Sequence, residues 1–239
     1  FSRDSNGVVT YSGTEEWTQR RMILHYATLL GDLMTSGDAF LVGSEMVGLS
    51  RDQAGWCTGL ASLMGDVKQK LASGVKVSYA GDWSEYQMTN LSSAWTAADF
   101  IGIDWYLPLT DWRSSADAVY TRDAFKAGMT SGEYWDYYYA DEAGREANNR
   151  LAITSDQYRQ KNIGYWRDNN HSGKDIWLTA FGSAAVDKGG NQPNVFVDPK
   201  SSSSALPYFS DGSHNETVQR LYIEAMLEYF GDNSSIVDP

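Results

Sequence analysis

The chain has 239 residues, 42% of them hydrophobic, which is enough to bury a core and excludes wholesale disorder. Its 31 acidic residues against 19 basic ones give a formal charge of −12 and a pI near 4.6. That balance argues against a nucleic-acid footprint, which needs clustered Lys and Arg, and against docking on anionic lipid, and no apolar run approaches the roughly 18 residues of a membrane span.

In chain order, apolar residues at 3.6-type spacing predict a first helix over 15–35, carried by Trp17, Met22, Ile23, Tyr26, Ala27, Leu30 and Leu33 and ended by Gly37. Ala39 to Val42 is a short continuous apolar run, as expected of a strand buried on both faces. A second helix is predicted over 52–72, with Leu60, Leu63, Met64, Val67 and Leu71 on one stripe. Val75 to Tyr79 reads as the second strand, 90–97 as a short helix, and Phe100 to Ile103 as the third strand. A helix near 116–130, an aromatic loop and a helix near 154–169 follow. Ile176 to Thr179 is the fourth strand, 187–212 a loop rich in Gly, Pro, Asn and Ser, and 214–230 the last helix.

Strands alternating with helices define an α/β fold with a parallel sheet, because parallel strands need crossover connections. The loops before the strands are short, while those after them are long and rich in carboxylates and aromatics. One functional face at the carboxyl ends of the strands is the (β/α) TIM-barrel arrangement, preferred here over a doubly wound sheet. Only four strands are convincing where a closed barrel has eight. The expectation is therefore a single TIM-barrel-like domain over 1–239, partial, with flanking strands missing at both ends. The first residue is not Met, and no signal peptide opens the chain.

The single Cys57 excludes an internal disulfide framework and reads as a buried thiol. His25, His171 and His214 stand in no metal-ligand spacing, and no HExxH, phosphate loop, GxGxxG or GxSxG occurs. No metal and no cofactor is expected. The marked excess is aromatic, with 9 Trp, 15 Tyr and 8 Phe. Rings beside carboxylates and amides suit a sugar, with its apolar faces and hydroxyl rim; they equally suit a core whose polar ring ends are hydrogen-bonded.

The candidate site residues lie at the strand ends. Glu45 follows the first strand in Gly43-Ser44-Glu45, placed to act as a general acid or base if partial burial raises its pKa. The second strand ends in Asp82-Trp83-Ser84-Glu85-Tyr86, where Asp82 could hold sugar hydroxyls and Trp83 or Tyr86 could stack. The third gives Asp104, Trp105, Tyr106 and Trp112, with Asp104 expected in the mouth and Tyr106 able to orient a carboxylate; Asp111 and Arg113 read as a local ion pair. The fourth strand brings Ala180, without charge, to the corresponding place. In the long loop, Asn191 and Gln192 could read hydroxyls or could hold the loop itself.

The stretches FLVGSEMVGL, VSYAGDWSEY, DFIGIDWYLPLTDWR, SGEYWDYYYADEAGREANNRLAIT and AVDKGGNQPNVFVDPKSSSS, followed by LPYFSDG, together resemble the glycoside-hydrolase-like TIM-barrel domain of gene transfer agent and phage tail-hub proteins. The resemblance runs from about residue 17 to 230. It implies a barrel of the retaining glycosidase type, with an acid/base carboxylate after the fourth barrel strand and a nucleophile after the seventh. Glu45 matches the first position. The second, usually Glu, falls on Ala180, and a following Pro is replaced by Ala184. A retaining glycosidase needs two carboxyl groups about 5–5.5 Å apart, so activity would be lost or strongly impaired. The resemblance further implies a carbohydrate ligand (bacterial envelope polysaccharide or peptidoglycan), tail-hub subunits as partners and a place at a virion tail tip or in a gene transfer agent particle. An inverting use of Glu45 with Asp82 or Asp104, a non-catalytic binding or structural module and a free cellular glycosidase remain alternatives.

Overall fold

The computed structural model describes residues 2–6, 9–10, 12–13, 18–52, 54–85, 91–129, 137–152, 166 and 173–232. The chain divides into two compact units, Phe1–Ile103 with Asn170–Trp177, and Asp104–Asn169 with Leu178–Pro239. In chain order the elements are β1 (Ser2–Arg3), β2 (Val9–Thr10), α1 (Gln19–Leu30), β3 (Ala39–Ser44), α2 (Val47–Asp52), α3 (Ala54–Lys68), β4 (Lys76–Asp82), α4 (Ser92–Ala97) and β5 (Ile101–Asp104). They continue with α5 (Arg122–Ala127), β6 (Tyr137–Tyr138), α6 (Glu142–Glu146), β7 (Leu151–Ala152), β8 (Ile176–Ala180) and α7 (Glu216–Asp232). The helix expected near 154–169 lies outside the described residues except for Trp166, as do Trp17, Tyr86 and the Tyr134 to Asp136 part of the aromatic loop.

The main sheet is parallel, with strand order β3-β4-β5-β8. Phe40 pairs with Val77 and Leu41 with Ser78, and the register slips between Leu41 and Ser44. Asp99 extends the ladder at its base: its carboxylate accepts the Val77 N–H at 2.7 Å, and its own N–H donates to the Val77 carbonyl at 2.8 Å. Strand β5 is buried throughout, as its apolar run predicts. Strand β3 differs from expectation. Phe40 and Val42 are buried while Leu41 is 38% exposed, because β3 stands at the edge of the sheet with one face packed.

In the first unit Leu60, Leu63, Met64 and Val67 form the buried stripe of α3, and Val77 and Ile103 are buried on β4 and β5. Cys57 is buried on the same helix, and burial together with the Glu85 charge raises its thiol pKa. Helix α1 starts at Thr18, whose hydroxyl accepts the Arg21 N–H at 3.2 Å. It stops at Gly31 rather than Gly37: a Cβ at Gly31 would sit 2.4 Å from the Lys70 carbonyl oxygen. Lys174, just before β8, donates to the carbonyls of Trp95, Thr96 and Ala98 and so closes the C-terminal end of α4. Burial, with the charge of Lys68, lowers its pKa. Phe100 stacks on Trp177 at 4.1 Å, and the Lys76 ammonium lies 4.6 Å from the Trp177 ring.

In the second unit α7 packs on α5. Phe125 meets Tyr222 edge-on at 5.6 Å, Tyr229 donates to the Met129 carbonyl at 2.7 Å, and Glu228 pairs with Arg122 and Lys126. Val218, Tyr222, Ala225 and Met226 form the buried stripe of α7. Strands β6 and β7 make a short antiparallel pair within the aromatic segment. The loop 187–212 contains one turn of 3-10 helix at Gly189–Asn191, entered through Lys188 at φ +52°.

Candidate functional site at the strand ends

Glu45, Asp82, Asp104 and Ala180 each stand at the carboxyl end of their own strand or one residue beyond it. At Glu45 the chain bends: φ is +52°, the left-handed region in which a side chain is strained. Two hydrogen bonds to β4 hold the bend, from the Glu45 N–H to the Ala80 carbonyl at 2.9 Å and from the Met46 N–H to the Tyr79 hydroxyl at 2.6 Å. Helix α2 begins one residue later. The partial burial expected of Glu45 is not found. The bend directs both N–H groups to β4 and leaves Glu45 exposed.

Among the described residues of this unit the buried carboxylate is Glu85, 1% exposed, three residues beyond Asp82. It accepts hydrogen bonds from the Ser50 hydroxyl, from the Tyr79 hydroxyl at 3.1 Å and from the Asp82 N–H at 2.6 Å. Burial raises its pKa, the Ser50, Asp82 and Tyr79 hydrogen bonds oppose that rise, and the Asp82 charge adds to it. Asp82 is half-buried, and its carboxylate accepts the Ser84 N–H at 2.8 Å and the Ser84 hydroxyl, a turn closed on itself. Trp83 is half-buried beside it. The legible sign of this cluster was Tyr79, a polar-ended ring inside an apolar strand six residues before a carboxylate.

In the second unit Asp104 is 6% exposed and accepts from the Thr179 hydroxyl at 2.7 Å. Trp105 does not offer stacking surface. It is 1% exposed and packs edge-on to Phe230 at 5.6 Å, with its indole N–H unpartnered among the described residues. The reason is strand alternation: the Trp105 N–H still donates to the Ala180 carbonyl at 2.7 Å, and side chains one residue apart in an extended chain face opposite ways. Tyr106 and Ala180 are half-buried.

Trp112 is half-buried and edge-on to Tyr120 at 5.2 Å and to Phe125 at 5.5 Å. Asn191 clasps its backbone. The Asn191 Oδ1 accepts the Trp112 N–H at 3.0 Å and the Thr110 hydroxyl at 2.7 Å, and its Nδ2 donates to the carbonyls of Trp112 at 2.8 Å and Tyr208 at 2.9 Å. Asn191 is 2% exposed, so its amide is spent inside the protein. Gln192 likewise accepts the Tyr208 N–H at 2.9 Å. Both amides therefore hold the loop, the second of the two roles their sequence allowed. Asp187 and Lys188 pair at 2.5 Å, and Tyr120 donates to Asp187 at 2.5 Å; burial and that hydrogen bond push the Tyr120 pKa up to about 12.

Asp111 and Arg113 take separate partners. Asp111 accepts from Tyr137 at 2.6 Å and Tyr139 at 2.7 Å, and burial followed by the Asp111 contact raises the Tyr137 pKa. Arg113 donates to the Arg145 carbonyl and lies over Phe209 at 4.4 Å; Arg145 covers Tyr208 at 4.0 Å and Arg150 covers Tyr137 at 4.3 Å. Sequence reading did not find this Arg–aromatic cluster, whose members come from four separate segments.

The fold defined by these elements is TIM-barrel-like, with a four-stranded parallel sheet and helices. The GH113 β-mannanase AaManA from Alicyclobacillus acidocaldarius, solved in complex with ManMIm, is similar with a TM-score of 0.50 at 16% identity, over 88% of this chain and 45% of its own. A second GH113 β-1,4-mannanase gives a TM-score of 0.51 at 18% identity, over 96% of this chain and 53% of its own. At these identities the likeness shows the fold alone, and the chain spans about half the length of the solved enzymes it matches. The chain belongs to the GTA TIM-barrel-like domain family, which it matches over residues 17–238. No curated protein sequence matches it. Among the described residues no helix is long and apolar enough to cross a membrane.

Proposed function

We propose that this chain is the glycoside-hydrolase-like barrel of a phage or gene transfer agent tail-hub protein, and that it engages a bacterial envelope glycan through its strand-end residues. Glu45 is the acid/base carboxylate, and Ala180 stands where the nucleophile would be. Asp82, Trp83, Asp104, Tyr106 and Trp112 line or support the sugar site. Trp105, Asn191 and Gln192 act only from behind, through Phe230 and the Tyr208 loop. The observation that carries this reading is Glu45 itself: an exposed carboxylate kept at a strained bend beyond a strand end, in a chain whose fold is similar to that of two solved GH113 mannanases.

An alanine cannot attack an anomeric carbon, so the chain as it stands binds without turnover or with rates reduced by orders of magnitude. The test is calorimetric titration with mannohexaose and with soluble peptidoglycan fragments, beside reducing-end release by Ala180→Glu. Binding at micromolar Kd, weakened about tenfold by Glu45→Gln, is the expected result. Cleavage by Ala180→Glu would add the hydrolytic ancestry. Absence of binding to every envelope glycan, with no cleavage by Ala180→Glu, would overturn the reading. It would favour a packing module of the tail tip, a role supported by how many of the strand-end polar groups are engaged internally.

A further inference from the structure

We infer that Glu85 is a positioning residue that holds the bend carrying Glu45, acting through Tyr79 and Ser50. The inference rests on the proposed function only in taking Glu45 as the carboxylate to be positioned. Its grounds are geometric. Glu85 is buried, yet it draws three donors from separate places: the Ser50 hydroxyl on α2, the Tyr79 hydroxyl in β4, and the Asp82 N–H at the end of β4. A phenol has one hydrogen to give. With that hydrogen directed to Glu85, the lone pairs of the Tyr79 oxygen face outward and accept the Met46 N–H at 2.6 Å.

The bond adjacent to Glu45 is thus the outer link of a relay whose inner end is a carboxylate. An anionic acceptor polarises the phenol and makes its oxygen a stronger acceptor for Met46. Ser50 ties the far end of the same segment to the same carboxylate, so residues 46–50 are held at both ends by Glu85. A left-handed non-glycine residue persists only where its surroundings over-determine it, and here Glu45 N–H to Ala80 and Met46 N–H to Tyr79 are among the constraints. The titratable groups facing Glu85 are Asp82 and Tyr79 on β4 and Cys57 on α3. The Asp82 charge disfavours a second charge beside it, so the network has two states: Glu85 ionised with the relay taut, and Glu85 protonated with the phenol released.

The experiment follows amide signals of the full chain by 1H–15N spectroscopy across about pH 4 to 8, in the wild type, Glu85→Gln and Tyr79→Phe. In the wild type the Met46 amide is expected to move with a midpoint above 4.5, the ordinary glutamate value. Glu85→Gln should abolish that titration. Tyr79→Phe should abolish it at Met46 while leaving it at Ser50, a split that a merely structural role for Glu85 would not produce. Mannohexaose or peptidoglycan-fragment affinity of folded Glu85→Gln should fall about tenfold. A Met46 amide that ignores pH while Glu85 titrates would overturn the inference, as would a Met46 titration unchanged in Tyr79→Phe. If the wild type binds no sugar, the proposed function falls, and the Met46 titration alone then decides whether Glu85 holds the bend.

Discussion

Glu45 trades stability for position. A side chain at φ +52° costs about 1 kcal/mol or more relative to glycine, offset in part by the greater chain entropy a glycine loses on folding. Glu45→Gly should therefore leave the melting temperature unchanged or raise it by a few degrees, while glycan binding is lost. A clear drop in melting temperature would mean that the side chain contributes to the fold and that its retention there needs no functional explanation.

Glu85 predicts a pH dependence of the opposite sense to that of a salt-bridged carboxylate. Its folded pKa lies above 4.5, so the folded state holds this proton more tightly than the unfolded chain does. The stability this group contributes is fully present below the unfolded value and is lost as pH rises through the folded one. Compared with Glu85→Gln, the wild type should thus gain relative stability on acidification from neutral pH toward 4.5, measured by urea midpoints. Glu85→Ala, which strands the Ser50 and Tyr79 hydroxyls and the Asp82 N–H, should cost about 1–3 kcal/mol at any pH in that window.

The sequence showed carboxylates after the first three strands of the main sheet but not which of them would be buried. Burial depends on what the bend after β3 does with two N–H groups, and no local pattern encodes that. Trp105 illustrates the same limit. Its place next to Asp104 was legible, and the strand alternation that sends it into the core was the missing inference.

At the level of elements, short runs rich in apolar residues, alternating in β4 and nearly continuous in β5 and β8, located these strands to within a few residues, because a run flanked by Gly or Asp has few other readings. Helix ends were less legible. Gly37 is an ordinary stop signal for α1, but the helix ends at Gly31, whose φ of −50° is regular helical backbone. Its need for glycine comes from the Lys70 carbonyl, 39 positions on, that a Cβ would strike. The pairs β1–β2 and β6–β7 have two residues per strand, too few for any periodicity.

These glycines separate by context. Gly59 and Gly65 are exposed on α3, and nothing lies within 4 Å of the place an alanine methyl would take. Gly59→Ala and Gly65→Ala should each stabilise by about 0.5–1 kcal/mol through helix propensity. Gly31→Ala should destabilise by about 1–3 kcal/mol, since a Cβ 2.4 Å from backbone oxygen forces a shift. Chemical denaturation of the three variants checks both signs; a stabilised Gly31→Ala would disprove the close approach of α1 to the Lys70 turn.

For the molecule as a whole, alternation of strand and helix along the chain was enough to define the class of architecture, and the family match over 17–238 agrees with it. What alternation could not supply was the division into two units, with β5 and β8 beginning in one and ending in the other.

The half-packed edge strand carries a practical corollary. Leu41 is exposed on β3, and among the described residues no other strand pairs with the side of β3 away from β4, an edge to which an extended segment can add. Samples of this chain should accordingly form higher-mass species as concentration rises, seen as a climbing light-scattering signal, and Leu41→Lys should suppress that climb without lowering the melting temperature. The same lysine placed at buried Val42 would unfold the strand instead, so handling losses and misfolding can be told apart one residue apart.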